Sequence, residues 1–151
     1  MAAALPGLLD LGISLVILGV FMAAYGVGPS IAIVLLPLSV AAAVAVTVAV
    51  GLWLSALNVQ YRDVRHALSF VIQAWFFATP IVYSSSVLDG AWKYFFALNP
   101  MVGVIDLFRW SLVAGPPPGE ADVISLVSGI ALLVGGTIYF RSAERRFADV
   151  V

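Results

Sequence analysis

Two short stretches gather most of the ionisable side chains that can do chemistry in the interior of this chain. In "LNVQYRDVRH", residues 57–66, Arg62, Asp63, Arg65 and the sole histidine, His66, stand together; in "IDLFRW", Asp106 and Arg109 are three residues apart. A carboxylate and a guanidinium at that spacing share one helix face and can pair. An aspartate just ahead of a helix can cap its positive N-terminal end, and Asp63 is so placed. Arg62 and Asp63 can also pair with each other or with a partner protein, and Asn58 can end the preceding helix. His66 has no second ligand nearby, so neither metal binding nor acid–base work is assigned to it. No carboxylates pair within an apolar stretch, and no histidines cluster. No glycine loop has the phosphate-cradling pattern. Cysteine is absent, which removes thiolate ligands and disulfides. No catalytic residue, metal site or cofactor site is assigned in this chain.

The elements that position these groups follow from composition. Hydrophobic residues make up 63% of the 151 residues and charged residues 10%, against about 45–50% and about 25% in soluble domains. The mean hydropathy is +1.11. So few charges cannot cover a water-exposed surface, and the chain reads as a membrane protein. The net charge of −1 argues against a nucleic-acid surface, which needs a marked excess of Lys and Arg to neutralise phosphates. The apolar N-terminal run has no basic flank and is too long for a secretory leader.

A helix crossing about 30 Å of hydrocarbon needs around 20 apolar residues. Four stretches qualify: 8–25, 31–57, 67–83 and 123–140. Their apolar runs lack period-two alternation, so they read as helices and not as strands of a closed barrel. Gly12 and Gly19 in the first, and the small residues 41–45 in the second, suit close helix packing. Five of the seven basic residues fall into two clusters, Arg62 with Arg65 and Arg141 with Arg145 and Arg146. Two spans separate the clusters, so both can face the cytoplasm, as positive charge does. Both termini are then cytoplasmic, residues 58–66 form a cytoplasmic turn, and "GVGPS" at 26–30 lies outside.

Residues 84–122 are then external. Their middle is too apolar and aromatic for a solvated loop, yet Asn99-Pro100 breaks it. Two short helices meeting at that break either dip into the membrane as a re-entrant hairpin or lie at its surface, anchored by Trp92, Tyr94, Phe95, Phe96 and Trp110. Both readings stay open, and "GPPPGEAD" after them is a linker. In "FFATPIVY", Pro80 must kink or end its helix, and Thr79 can satisfy a carbonyl so freed. Asp106 and Arg109 pair most cheaply at the outer interface.

Three segments in this order, "LSALNVQYRDVRHALSFVIQAWFFATPIVY", "ALNPMVGVIDLFRW" and "YFRSAERRFADVV", closely resemble ABC-2-type permeases that export polysaccharides or polyol phosphates, such as O-antigen, capsule and teichoic acid. The resemblance covers nearly the whole chain. It implies an inner-membrane subunit that forms a homodimer, joins separate ATP-binding subunits, and moves a lipid-linked polysaccharide outward between two permeases. Asn58, Tyr61, Arg62 and Asp63 match the family's cytoplasmic turn nearest the ATPase. Pro80 and Tyr83 match the end of its fifth span, and Asn99, Pro100 and Arg109 match external re-entrant helices that help close the channel. Trp92 and Tyr94 there would suit the flat faces of sugar rings. The family usually carries about a hundred further residues ahead of the point where this chain opens, including two spans and the main coupling helix for the ATPase.

The expectation is an all-α, polytopic membrane helical bundle of four transmembrane helices with an external re-entrant or interfacial hairpin, acting as the permease portion of a polysaccharide exporter. Two alternatives belong to other classes. One is a membrane enzyme acting on lipid-linked sugars; the other is a non-transporting or regulatory membrane subunit.

Overall fold

Residues 4–60, 64–87 and 90–148 are described in the computed structural model. Six α-helices follow one another among them: α1 Ala4–Ala24, α2 Leu36–Gln60, α3 Val64–Ala78, α4 Ala91–Ala97, α5 Pro100–Val113 and α6 Glu120–Ala148. Short 3₁₀ turns stand at Ile31–Leu35 and Ser85–Val87, and no strand occurs among the described residues. The fold is an all-α membrane bundle. Pro6–Ala24, Ile31–Asn58 and Glu120–Ser142 are each long and apolar enough to cross a bilayer.

Residues 67–83 depart from the expected single helix. α3 has 15 residues, about 22 Å at 1.5 Å per residue, which is short of a hydrocarbon core of about 30 Å. The cause is local. Pro80 supplies no N–H and disfavours helical backbone at the residue before it, so α3 stops at Ala78 and residues 79–83 continue as irregular chain.

α2, α5 and α6 form the packed centre, and small residues let them approach. Ala49 and Ala56 of α2 and Val102, Val104 and Leu107 of α5 are buried. A methyl group placed on Gly129 of α6 would lie 3.3 Å from both Pro100 and Val46, so three helices converge there. Further along the same seam Gly136 is covered by the Trp53 ring, 2.9 Å from where a Cβ would stand. The Trp53 indole N–H donates to the Leu132 carbonyl at 3.0 Å and its ring stacks on Tyr139 with centroids 5.0 Å apart. In a bilayer, where apolar side chains gain little by leaving lipid, such close backbone contact and cross-helix hydrogen bonding hold helices together.

α1 stands apart. None of its apolar span is buried, and nothing lies within 4 Å of where a side chain on Gly12 or Gly19 would be. The close packing expected on those glycines is therefore not made within this chain. The helix ends at Gly26, whose φ of 68° is the left-handed conformation that glycine adopts at least cost, and the Val27 amide closes the end on the Met22 carbonyl at 2.9 Å.

The segment between α3 and α6 is a sharply bent helix pair. α4 and α5 meet at 97° across Leu98-Asn99. Pro100, at the apex, packs against Gly129, nine residues into α6, about 14 Å along that helix. Its other neighbour there, Val46, lies near the middle of the Ile31–Asn58 span. The apex of the hairpin thus packs between α2 and α6. Irregular backbone at such depth survives only when protein encloses it and pairs its polar groups.

Candidate functional site

That requirement is met by four side chains at the junction of α3, α5 and α6. Asn99 works in two directions. Its Oδ1 accepts from the Met101 amide at 3.0 Å, capping α5, whose first helical position is filled by proline as helix starts favour. Its Nδ2 donates to the Thr79 hydroxyl at 2.9 Å and to the Ala78 carbonyl at 3.2 Å, at the end of α3. Thr79 in turn donates to the Trp75 carbonyl at 2.8 Å. One asparagine therefore starts α5 and finishes α3.

Ser125 of α6, fully buried, stitches the other flank. Its hydroxyl donates to the Asn99 carbonyl at 2.6 Å and accepts from the Gly103 amide at 2.8 Å. Gly103 must be glycine for this approach, because a Cβ there would meet the Asp122 carbonyl at 2.7 Å.

Arg109 secures the irregular strand that follows α3. One terminal nitrogen donates to the carbonyls of Pro80 at 2.7 Å, Ile81 at 3.1 Å and Tyr83 at 3.0 Å. The other donates to Asp106 Oδ1 at 3.2 Å, one turn earlier on α5. These carbonyls have no helical donor, since the helix has ended, and a planar guanidinium offers several donors in fixed directions. Asp106, 8% exposed, balances the charge. Beside this pair Lys93, Asp106 and Asp122, with Ser85, line a cavity of about 140 Å³. Asp122 also closes the start of α6 by accepting from the Gly119 amide at 2.7 Å.

The structure thus brings together Pro80, Tyr83, Asn99, Pro100 and Arg109. Tyr83 is half-buried, and its hydroxyl reaches back to the Phe77 carbonyl at 3.3 Å. Trp92 and Tyr94 lie on α4 and stay exposed, 65% and 49%; Trp92 meets Phe95 edge to face with centroids 6.0 Å apart. Asn58 sits exposed in the last turn of α2, so it does not end that helix, which runs to Gln60. Tyr61, Arg62 and Asp63 lie outside the described residues. Sequence reading paired Arg109 with Asp106 but missed the three carbonyls. An arginine in an otherwise apolar helix was the available signal. Ser125 gave none, because a lone serine in a span reads as filler.

A multi-pass helical membrane protein, with a bent hairpin held by polar side chains that bind backbone, is the class that this fold and site define. Residues 2–113 match the family described as ABC-2 type transporter, and the chain belongs to that family. It is 30% identical over 142 residues to the O-antigen export system permease protein RfbA of Myxococcus xanthus, covering 92% of this chain and 55% of that protein. A protein of the same description from Klebsiella pneumoniae is 30% identical over 133 residues, with 87% and 51% covered. The chain spans about half the length of the curated relatives it matches.

Proposed function

We propose that this chain supplies conduit wall and gate in the permease of an ATP-driven exporter of lipid-linked cell-surface polysaccharide. The observation that carries the reading is the bent hairpin locked to the end of α3 by Asn99 and Arg109, in a chain of the ABC-2 family. A transport path must be shut between cycles, and a hairpin tied to a broken span gives a plug that moves when the span moves. The named relatives support polysaccharide as the cargo. ATP would be hydrolysed on separate ATP-binding subunits, and two permease copies would flank the path in the inner membrane.

In this reading both termini face the cytoplasm, and Asn58, Tyr61, Arg62 and Asp63 form the turn nearest the ATPase. Pro80, Tyr83, Asn99, Pro100 and Arg109 form the external gate, while Trp92 and Tyr94 offer ring faces to emerging sugar. No resident cofactor is called for, and the chain needs no nucleic acid. Separation of the ATPase subunits would tilt the spans through the cytoplasmic turns and loosen the hairpin.

The test is complementation. Cells lacking their own O-antigen permease should regain surface polysaccharide when given the full gene that carries this chain together with its ATPase. Continued internal accumulation of lipid-linked glycan, with the protein in the membrane, would overturn the reading. Orientation is checked separately. Since the chain has no cysteine, Ser85→Cys and Gln60→Cys report cleanly, and an impermeant thiol reagent should label only the first in intact cells.

A further inference from the structure

The carboxyls of Asp106 and Asp122 meet where the hairpin touches the start of α6. Both line the cavity of about 140 Å³ beside Arg109, and the two side chains lie within hydrogen-bonding reach of each other. Two carboxylates in such contact repel unless a proton or a cation stands between them. Each side chain is short, and the backbones are pressed together at Gly103, against which the Asp122 carbonyl lies. The pair therefore has little room to part while α5 and α6 stay packed.

The groups around the pair leave its charge open. Arg109 forms its ion pair with Asp106, and its other terminal nitrogen is committed to the three carbonyls beyond α3. On α6, Asp122 accepts from the Gly119 amide, which is uncharged. The linker residues on the cavity wall are prolines and a glycine, and Ser85 adds a neutral hydroxyl. Glu120 is exposed and does not line the cavity. The remaining cation there is Lys93 of α4, which attracts Asp122 across the cavity without closing a salt bridge. Lys93 is exposed, and its ammonium sits on a flexible four-carbon stem. With the ammonium drawn in, both carboxylates can be ionised; with it withdrawn, the two must share a proton.

We propose that the Lys93 ammonium and a shared proton are interchangeable counter-charges for Asp106 and Asp122, and that either one holds the hairpin to the start of α6. Lys93 is then a positioning residue on the arm of the hairpin opposite Arg109. The proton is bound at low pH and lost as pH rises, so the lysine matters at the upper end. The inference rests on the proposed function only in treating the hairpin as a gate.

The test uses the full chain in detergent micelles. Ala121→Cys, at a position that is 4% exposed and lines the same cavity, supplies a single thiol. Its labelling rate, divided by that of the same variant unfolded at the same pH, reports how often the cavity opens. Between about pH 5 and about pH 8 this ratio should change by less than about twofold with Lys93 in place. In Lys93→Met it should rise about tenfold toward the upper end, near the lower bound for two adjacent charges at a protein surface. Lys93→Arg should behave as the parent. Asp122→Asn added to Lys93→Met should restore a flat profile, because an amide donates to Asp106 while its oxygen still accepts from Gly119. Thermal unfolding repeats the test without the thiol: Lys93→Met alone should lose stability as pH rises, and the double variant should not. A flat profile in Lys93→Met, or a rise that survives Asp122→Asn, would overturn the proposal. Glycan export that fails while these profiles hold would count against the proposed function and leave the carboxyl pair standing.

Discussion

Arg109→Gln tests whether one guanidinium holds the end of α3 to the hairpin. The wild-type side chain makes three bonds to carbonyls of residues 80, 81 and 83 and one to Asp106. Hydrogen bonds to a charged group contribute about 1.5–3 kcal/mol each in isolation, but four bonds from one side chain are not additive. A better bound is that removing one partner of a buried ion pair costs about 3–5 kcal/mol, because the other charge is stranded. Arg109 is 26% exposed and Asp106 10% at the side chain, which favours the lower end, about 3 kcal/mol. Asp106→Asn keeps the carbonyl bonds and should cost less, about 1–2 kcal/mol. In the double variant no carboxylate is stranded, so its loss should fall short of the sum by about 1 kcal/mol or more. Reversible unfolding in detergent micelles, followed by tryptophan fluorescence, gives all three values, and hydrogen exchange of residues 81–84 should quicken in Arg109→Gln. A single variant within about 0.5 kcal/mol of wild type, the range of surface changes, or strictly additive losses, would refute the clamp.

Ser125→Ala leaves the Gly103 amide without its partner, while the Asn99 carbonyl still accepts from the Val102 amide at 3.1 Å; unfolding in micelles should show a loss of about 1–3 kcal/mol from the one unsatisfied group. Gly136→Ala forces a methyl to within 2.9 Å of Trp53. It should cost about 1–3 kcal/mol as overpacking, and Trp53→Phe in the same chain should recover part of that, read by thermal unfolding. Ala114→Gly acts the other way. Ala114 ends α5 at φ 52°, a left-handed conformation costing a non-glycine residue about 1–2 kcal/mol, so glycine should raise stability by about 0.5–1 kcal/mol once its chain entropy is charged; a fall would mean the turn is held by more than backbone.

How much of this was legible in the sequence depends on the range of the interaction. The three full-length spans were readable because lipid imposes one rule on every residue in them: stay apolar and pair the backbone internally. Pro80 and Asn99-Pro100 marked where that rule breaks, and both breaks stand in the structure. What repairs a break was not readable, because the repairing groups lie far along the chain. Arg109 is 29 residues from the Pro80 carbonyl it binds, and Ser125 is 26 from that of Asn99. No local pattern links them. The expected extent of the third helix failed for the same reason. Apolar residues through 83 suit lipid whether or not they are helical, and the choice between helix and irregular strand passed to Pro80 and to a distant arginine able to stand in for the missing amide donors. A span that ends early is tolerable only where such a donor exists. The polar residues of the junction are thus the counterpart of the prolines that break its helices, and moving the gate in this reading means exchanging those bonds, since lipid offers no others.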